Sequence, residues 1–353
     1  MKGIIQLANK KQYTGLWHGD VTHCKGEIIF YTGMGNFLEF MTDPETKGKI
    51  VVATYPGVLH SHFDPAKFES EDLQLSALIT QQEILVHSDV EESWLSFFNE
   101  RGIPIMSSMD TRTIIKELLK DGEMSAELTA EDHKLDSKAD CQKTKSEEKP
   151  IVLNANEKNN LVVLNFGIKK SLLNWLKSFH CKLTILPAGT TASAITEIAP
   201  DGVIFSGGSG HPGEYQQYFE DYAKVAKSYP TMAFGLGHQI LALAFGGNIE
   251  KMKWGHRGCK HAIYHTSSKQ VYLTNQNHGY HISLQDLEET GFKPSFLSVQ
   301  DGDVEGLIHQ DFPITTYQFH PDGTNYKLES FIKTAYFKQL EQSKGEKLYA
   351  EAK

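Results

Sequence analysis

The chain has 353 residues, 40% apolar and 22% charged, which excludes disordered, fibrous and collagenous classes and is too long for one ordinary core. A net charge of −9 argues against a nucleic-acid partner, which would call for a basic face. The four cysteines (Cys24, Cys141, Cys181, Cys259) form no CxxC pair, so neither a disulfide framework nor a zinc site is expected and a cytoplasmic location fits. The apolar stretches are too short for a signal peptide or a membrane span, so no membrane partner is expected.

In the front part, 26–33 (GEIIFYTG) and 49–58 (KIVVATYPGV) are rich in β-branched and aromatic residues and bounded by Gly and Pro, which predicts strands. Residues 110–122 (DTRTIIKELLKDG) predict a helix capped by Asp110, with Ile114, Ile115, Leu118 and Leu119 on one face and Gly122 ending it. Together these predict a small α+β domain over 1–128 without a catalytic cluster. Half of 129–150 is charged, and such a segment buries too little apolar surface to offset ordering entropy, so a polar linker is expected over 129–158.

The back part alternates strand and helix. Strands are predicted at 160–166, 182–188, 201–206, 232–234, 269–275 and 313–319, and helices at 171–179, 191–199 and 214–228. This alternation predicts an α/β domain over 159–342, with a mostly parallel sheet and helices on both faces. A polar tail is expected over 343–353. Sites in such sheets form at the carboxyl ends of strands, here 206–212, 235–239, 275–280 and 318–322, where glycine, histidine and amide residues concentrate.

The stretch MAFGLGHQILALAFGG (232–247) reads as strand, sharp turn and helix, the arrangement that presents a nucleophile, yet Gly235 at the apex carries no side chain. His320-Pro321-Asp322 supplies a base and a possible orienting carboxylate, and the glycine loop 207–210 offers backbone N–H groups for an oxyanion. His256, His261 and His265 lack a carboxylate or thiol cluster at metal-ligand spacing, so no metal site is expected and they are read as polar loop residues.

These motifs, in this order, resemble the carbamoyl-phosphate synthase small-subunit family, whose back domain is a class I (triad) glutamine amidotransferase. The family's G-I-C-L-G-H-Q elbow corresponds to AFGLGHQ (233–239), its S-N-G-P-G-D-P loop to SGGSGHP (206–212), its Q-N-H-G-F to QNHGY (276–280) and its H-P-E to HPD (320–322). In the front domain F-N-T-S-M-T-G-Y-Q-E corresponds to FYTGMGNFLE (30–39), and TYP (54–56) and DTR (110–112) recur. The resemblance implies Gly235, His320 and Asp322 at the catalytic positions. It implies a glutamine-binding set of Gly33, Gly208, Gly210, Leu236, Gln239, Asn277, Gly279 and Tyr280. Gly235 stands where the family has its cysteine nucleophile, Asp322 where it has Glu, His211 where it has the loop's acid, and Gly33 and Gly35 where it has Ser and Thr. The resemblance further implies L-glutamine as ligand and a large partner subunit that uses ATP, Mg and bicarbonate to make carbamoyl phosphate for arginine or pyrimidine synthesis, in a cytoplasmic heterodimer. No cofactor is expected in this chain, which has no P-loop. The expected function is that of the small subunit with its own glutaminase step absent or weak. The alternative is a non-catalytic, glutamine-binding or regulatory pseudo-amidotransferase acting with another synthetase.

Overall fold

A computed structural model of the protein describes residues 1–33, 35–55, 57–60, 64–84, 89–131, 149–285, 287–323 and 325–351. Met34 and Pro56 of the front motifs, and 132–148 of the expected linker, lie outside them. Internal contacts divide the chain into two units, Met1–Lys145 with Met252–Cys259, and Ser146–Lys251 with Lys260–Lys353.

In the first unit seven strands close into a barrel: β1 (Lys2–Leu7), β2 (Gln12–His18), β3 (His23–Tyr31), β4 (Lys49–Ala53), β5 (Ala77–Ile79), β6 (Ile105–Ser107) and β7 (Met124–Ala130), in the order β1-β2-β6-β5-β4-β3-β7. β3 through β6 run parallel and the remaining pairs antiparallel. Both faces of β4, β5 and β6 are buried. Ile28, Ile50, Val52 and Ile79 pack with Ile114 and Leu118 of α3 (Thr111–Asp121), while Ile29, Val51 and Leu78 pack with α1 (Phe37–Thr42) and α2 (Asp89–Glu100). Burial on both sides explains why KIVVA reads as an unbroken apolar run. The Asp110 cap is as expected, its carboxylate accepting from Thr113 N at 3.0 Å.

A segment from the far end of the sequence belongs to this unit, contrary to a simple front-and-back division. Glu123, just before β7, accepts from Gly255 N at 3.0 Å and pairs with Arg257, both side chains being buried. The Trp254 indole N–H donates to Leu118 O and Leu119 O, capping the last turn of α3.

The second unit holds a ten-stranded sheet. Its strands are β8 (Ile151–Leu153), β9 (Asn160–Phe166), β10 (Lys182–Pro187), β11 (Gly202–Gly208), β12 (Thr231–Phe234), β13 (Ile249–His265), β14 (Val271–Ile282), β15 (Phe292–Ser298), β16 (Val304–His309) and β17 (Ile314–Tyr317). Their order is β14-β13-β15-β16-β17-β12-β11-β9-β10-β8. Five strands, β10-β9-β11-β12-β17, form the expected parallel centre; β16, β15 and β13 beyond β17, and β8 beyond β10, extend it antiparallel. Helices α5 (Ala192–Glu197), α6 (Phe219–Ser228) and α7 (Leu236–Ala244) pack on one face, through Ile195, Val225 and Ile240 against Val162, Leu164 and Phe205. Helices α4 (Lys170–Lys177) and α8 (Tyr326–Glu351) cover the other, through Leu176, Ile332 and Tyr336 against Val163, Ile204 and Phe234.

Several expectations are corrected. Residues 343–351 continue α8 and are no separate tail, with Lys344 bonding Asp201 Oδ1 at 2.9 Å and Asn159 Oδ1 at 2.8 Å. Residues 151–153, placed in the linker, form β8. The helix expected from 214 starts as a 3₁₀ turn over Pro212–Tyr218. His256, His261 and His265 lie on β13 and not in loops. Among the described residues, no helix is long and apolar enough to cross a membrane.

Candidate active site

The elbow owes its shape to backbone geometry. Gly235 joins the end of β12 to α7 with φ 49° and ψ −116°, a positive-φ conformation that an L side chain adopts only with strain. Its N–H donates to Tyr317 O of the neighbouring parallel strand at 2.9 Å, fixing the turn to the sheet edge. The neighbours are small because α7 lies hard against β11: a Cβ on Gly237 would stand 2.7 Å from Ser206 O and from Phe205 Cβ. The first-turn N–H groups of α7 have no intrahelical acceptor, which leaves donors beside Gly235 for a developing negative charge.

β11 supplies the second loop. A Cβ on Gly208 would stand 2.0 Å from Phe166 O, so only glycine fits there. Ser206 Oγ accepts from Phe166 N at 2.9 Å and donates to Gly207 O at 2.8 Å, holding the end of β11 against β9. Gly210 follows at φ 106°. His211 caps the next turn through Nδ1, which accepts from Gly213 N at 3.0 Å, and its ring meets Tyr280 edge-on with centroids 5.0 Å apart.

Because β12 and β17 pair in parallel, with Phe234 opposite Tyr317, the segments after them leave from the same edge of the sheet. This sets His320 beside the elbow strand, its ring stacked on Phe234 at 6.1 Å. Asp322 accepts from Asn275 Nδ2 at 2.6 Å. Gln239, one helical turn beyond Gly235, donates from Nε2 to Tyr280 O at 3.0 Å and to Gln318 Oε1 at 2.9 Å. It thereby ties the elbow helix to β14 and to the segment after β17. Leu236 is buried in the core beneath the turn.

Asn277, Gly279 and Tyr280 were expected in a loop at a strand end, whereas β14 runs unbroken through Ile282 and carries all three. Around them lies a polar cluster whose roles the sequence reading did not assign. Glu305 is fully buried; its Oε2 accepts from Gln276 Nε2 at 2.8 Å and its Oε1 lies 3.8 Å from His278 Nε2. His278 Nδ1 donates to Tyr280 O at 2.9 Å. The available signal was a carboxylate inside the apolar strand VEGLIH, since a buried acid calls for partners. His238, also fully buried, bonds Thr316 Oγ1 through Nδ1 at 2.6 Å, and burial alone depresses its pKa to about 3, so it is a neutral packing residue.

The geometry thus brings Gly235, Leu236, Gln239, Gly208, Gly210, Tyr280, His320 and Asp322 to the carboxyl edge of the parallel strands. Gly33 belongs to the first unit, just beyond β3, beside Tyr31. Chemically the edge offers anion-stabilising N–H groups and an imidazole, with no nucleophile at the apex.

The model for class-I glutamine amidotransferases matches residues 162–338, and that for the CPSase domain of the carbamoyl-phosphate synthase small chain matches 5–128. The chain is 32% identical over 333 residues to the carbamoyl phosphate synthase arginine-specific small chain of Halalkalibacterium halodurans, covering 91% of this chain and 92% of that one. It is 32% identical over 326 residues to the arginine-specific small chain of Bacillus subtilis, again covering 91% and 92%. It is 32% identical to the pyrimidine-specific small chain of Lactiplantibacillus plantarum, covering 91% of each. Two domain models in order and relatives aligned along nearly the whole length give one answer: the chain belongs to the carbamoyl-phosphate synthase small-chain family, with a class-I glutamine amidotransferase domain at its back.

Proposed function

We propose that this chain acts as the glutamine-amidotransferase subunit of a carbamoyl-phosphate synthase but does not itself hydrolyse glutamine. It docks on a large ATP-dependent subunit and supports synthesis from free ammonia. The observation that carries this reading is Gly235: the strained apex at φ 49° is present, and the atom that would attack the glutamine carboxamide is not. Acyl transfer by this arrangement needs a nucleophile that adds to the carbonyl, a base that takes its proton and donors that hold the oxyanion. His320 and the α7 N-terminus provide the second and third. With no thiol at 235 there is no thioester to form, and His320 has no proton to remove. A large subunit with ATP, Mg and bicarbonate, a cytoplasmic setting, and an arginine or pyrimidine pathway belong to the same proposal.

Incubated with L-glutamine, alone or with its co-purified large subunit, the protein is expected to release no glutamate above background. Glutamate release that disappears in His320→Asn would sink the reading. Gly235→Cys is expected to gain glutaminase activity, at a stability cost of about 1–2 kcal/mol for a side chain at positive φ. That gained activity should vanish when His320→Asn is added.

A further inference from the structure

The middle of β14 alternates as a half-buried strand does: Thr274, Gln276 and His278 are buried, and the residues between them are not. What this buried face meets is a charge. Glu305 of β16 is fully buried, and its carboxylate lies beside Gln276 and His278 although β13 and β15 separate the two strands in the sheet. Gln276 Nε2 donates to Glu305 Oε2 at 2.8 Å and to Thr274 Oγ1 at 3.2 Å. Gln276 and Glu305 are 29 positions apart in the chain, so only the fold brings this set together.

Two features of the cluster point to a ligand. His278 Nδ1 lies 2.9 Å from Tyr280 O, and a carbonyl only accepts, so Nδ1 carries the proton of the neutral ring and Nε2 presents a lone pair to the carboxylate. Nε2 and Glu305 Oε1 stand 3.8 Å apart. That is too far for a hydrogen bond, yet it is close to the spacing two donors keep when each lies about 2.0–2.2 Å from one ion. A backbone carbonyl on the other imidazole nitrogen is also the usual outer contact of a metal-ligating histidine. The second feature is Gln276 Oε1. The side chain is 4% exposed, and this oxygen has no hydrogen-bond partner among the described residues, although the same amide holds Glu305 through its nitrogen. A buried carboxylate beside an orphaned carbonyl oxygen costs free energy that a cation offsets.

We infer that Gln276, His278 and Glu305 form a site for one divalent metal ion, zinc by the chemistry of its donors. One imidazole nitrogen, one carboxylate and one amide oxygen suit Zn²⁺ better than Mg²⁺, which keeps several waters, or Ca²⁺, which takes roughly six to eight oxygens. Three protein donors leave the fourth position to water. The ion pins β14 to β16 across the two strands between them. Tyr280 O, held by His278, also accepts from Gln239 Nε2 at 3.0 Å, so the same ion steadies the contact between β14 and α7. The inference stands on these contacts and does not depend on the functional reading above.

Full-length protein stripped with a chelator and titrated with Zn²⁺ in a calorimeter tests this. One Zn²⁺ per chain should bind, and Zn²⁺ at a hundred times its Kd should raise Tm by roughly 5–10 °C. Co²⁺ in its place should give the visible d–d bands of a four-coordinate site. Glu305→Gln, or Gln276→Leu and His278→Asn should the first fold poorly, should weaken Zn²⁺ binding by about tenfold to a hundredfold or more and remove both the Co²⁺ bands and the Tm rise. Zn²⁺ binding that survives these substitutions is adventitious binding elsewhere on the chain and would overturn the site. A stripped protein that takes up no Zn²⁺, and is at least as stable with Glu305→Gln, would overturn it too, since a water or a proton would then fill the gap.

Discussion

The α7 elbow and the turn after β3 both carry a glycine, and the glycine answers a different constraint in each. At the elbow the backbone conformation that serves a nucleophile is still there, with Gly235 at φ 49° and its N–H fixed to Tyr317. After β3 the space a Cβ on Gly33 would take is filled by the end of the Tyr31 ring. The first glycine answers backbone conformation; the second answers a neighbouring side chain. A single substitution can address the first, whereas the second needs two.

If the elbow frame is as rigid as its contacts indicate, its supporting glycines should tolerate nothing. Gly208→Ala places a methyl 2.0 Å from a backbone carbonyl, which no rotamer change relieves. We expect a loss of about 3 kcal/mol or more in denaturant unfolding. A loss below about 1 kcal/mol would show that β9 and β11 can part, and that the frame is softer than the loop with which it is compared.

A smaller effect tests the buried side of the same frame through pH. His238 is neutral in the folded protein, its pKa depressed to about 3 by burial, whereas in the unfolded chain it titrates near ~6.5. Between these values the unfolded state binds more protons, so stability is complete above the unfolded pKa and falls as pH drops below it. At pH 5.5 the loss should be about 1.3 kcal/mol relative to pH 7. His238→Gln should flatten that part of the stability–pH curve; an unchanged slope would assign the acid sensitivity elsewhere.

The smallest effect is expected where the front loop has room. Among the described residues nothing lies within 4 Å of a Cβ on Gly35, so Gly35→Thr should change stability by less than about 0.5 kcal/mol. Comparison with Gly33→Ser, two residues away, would show directly that one glycine is held by a neighbour and the other by nothing.

Parts of both units were legible because their elements carry local signals. NLVVLNF gave β9 at its observed bounds, and Asp110 and Gly122 bracketed α3 as their chemistry requires. The antiparallel extension was harder to read: β13 and β14 are polar and long, with His256, Asn277 and Tyr280 inside strands, because the ladder satisfies their backbones whatever the side chain. Glu305 was missed because a single carboxylate in an apolar strand does not reveal which partners the fold will bring to it.

The absence of a thiol at 235 is a property of the sequence alone, and so is the order of motifs around it, since both are matters of which atoms are encoded and where along the chain. Three things came only with the tertiary structure. Met252–Cys259 belongs with the first unit because the buried Glu123 needs Arg257, a partner 134 positions away. Glu305 became a buried anchor for Gln276 because the fold brings side chains of β14 and β16, which are not neighbours in the sheet, within hydrogen-bond reach. A side chain at 33 became crowded because the end of the Tyr31 ring stands where its Cβ would go, and packing between atoms is settled only when the chain has folded.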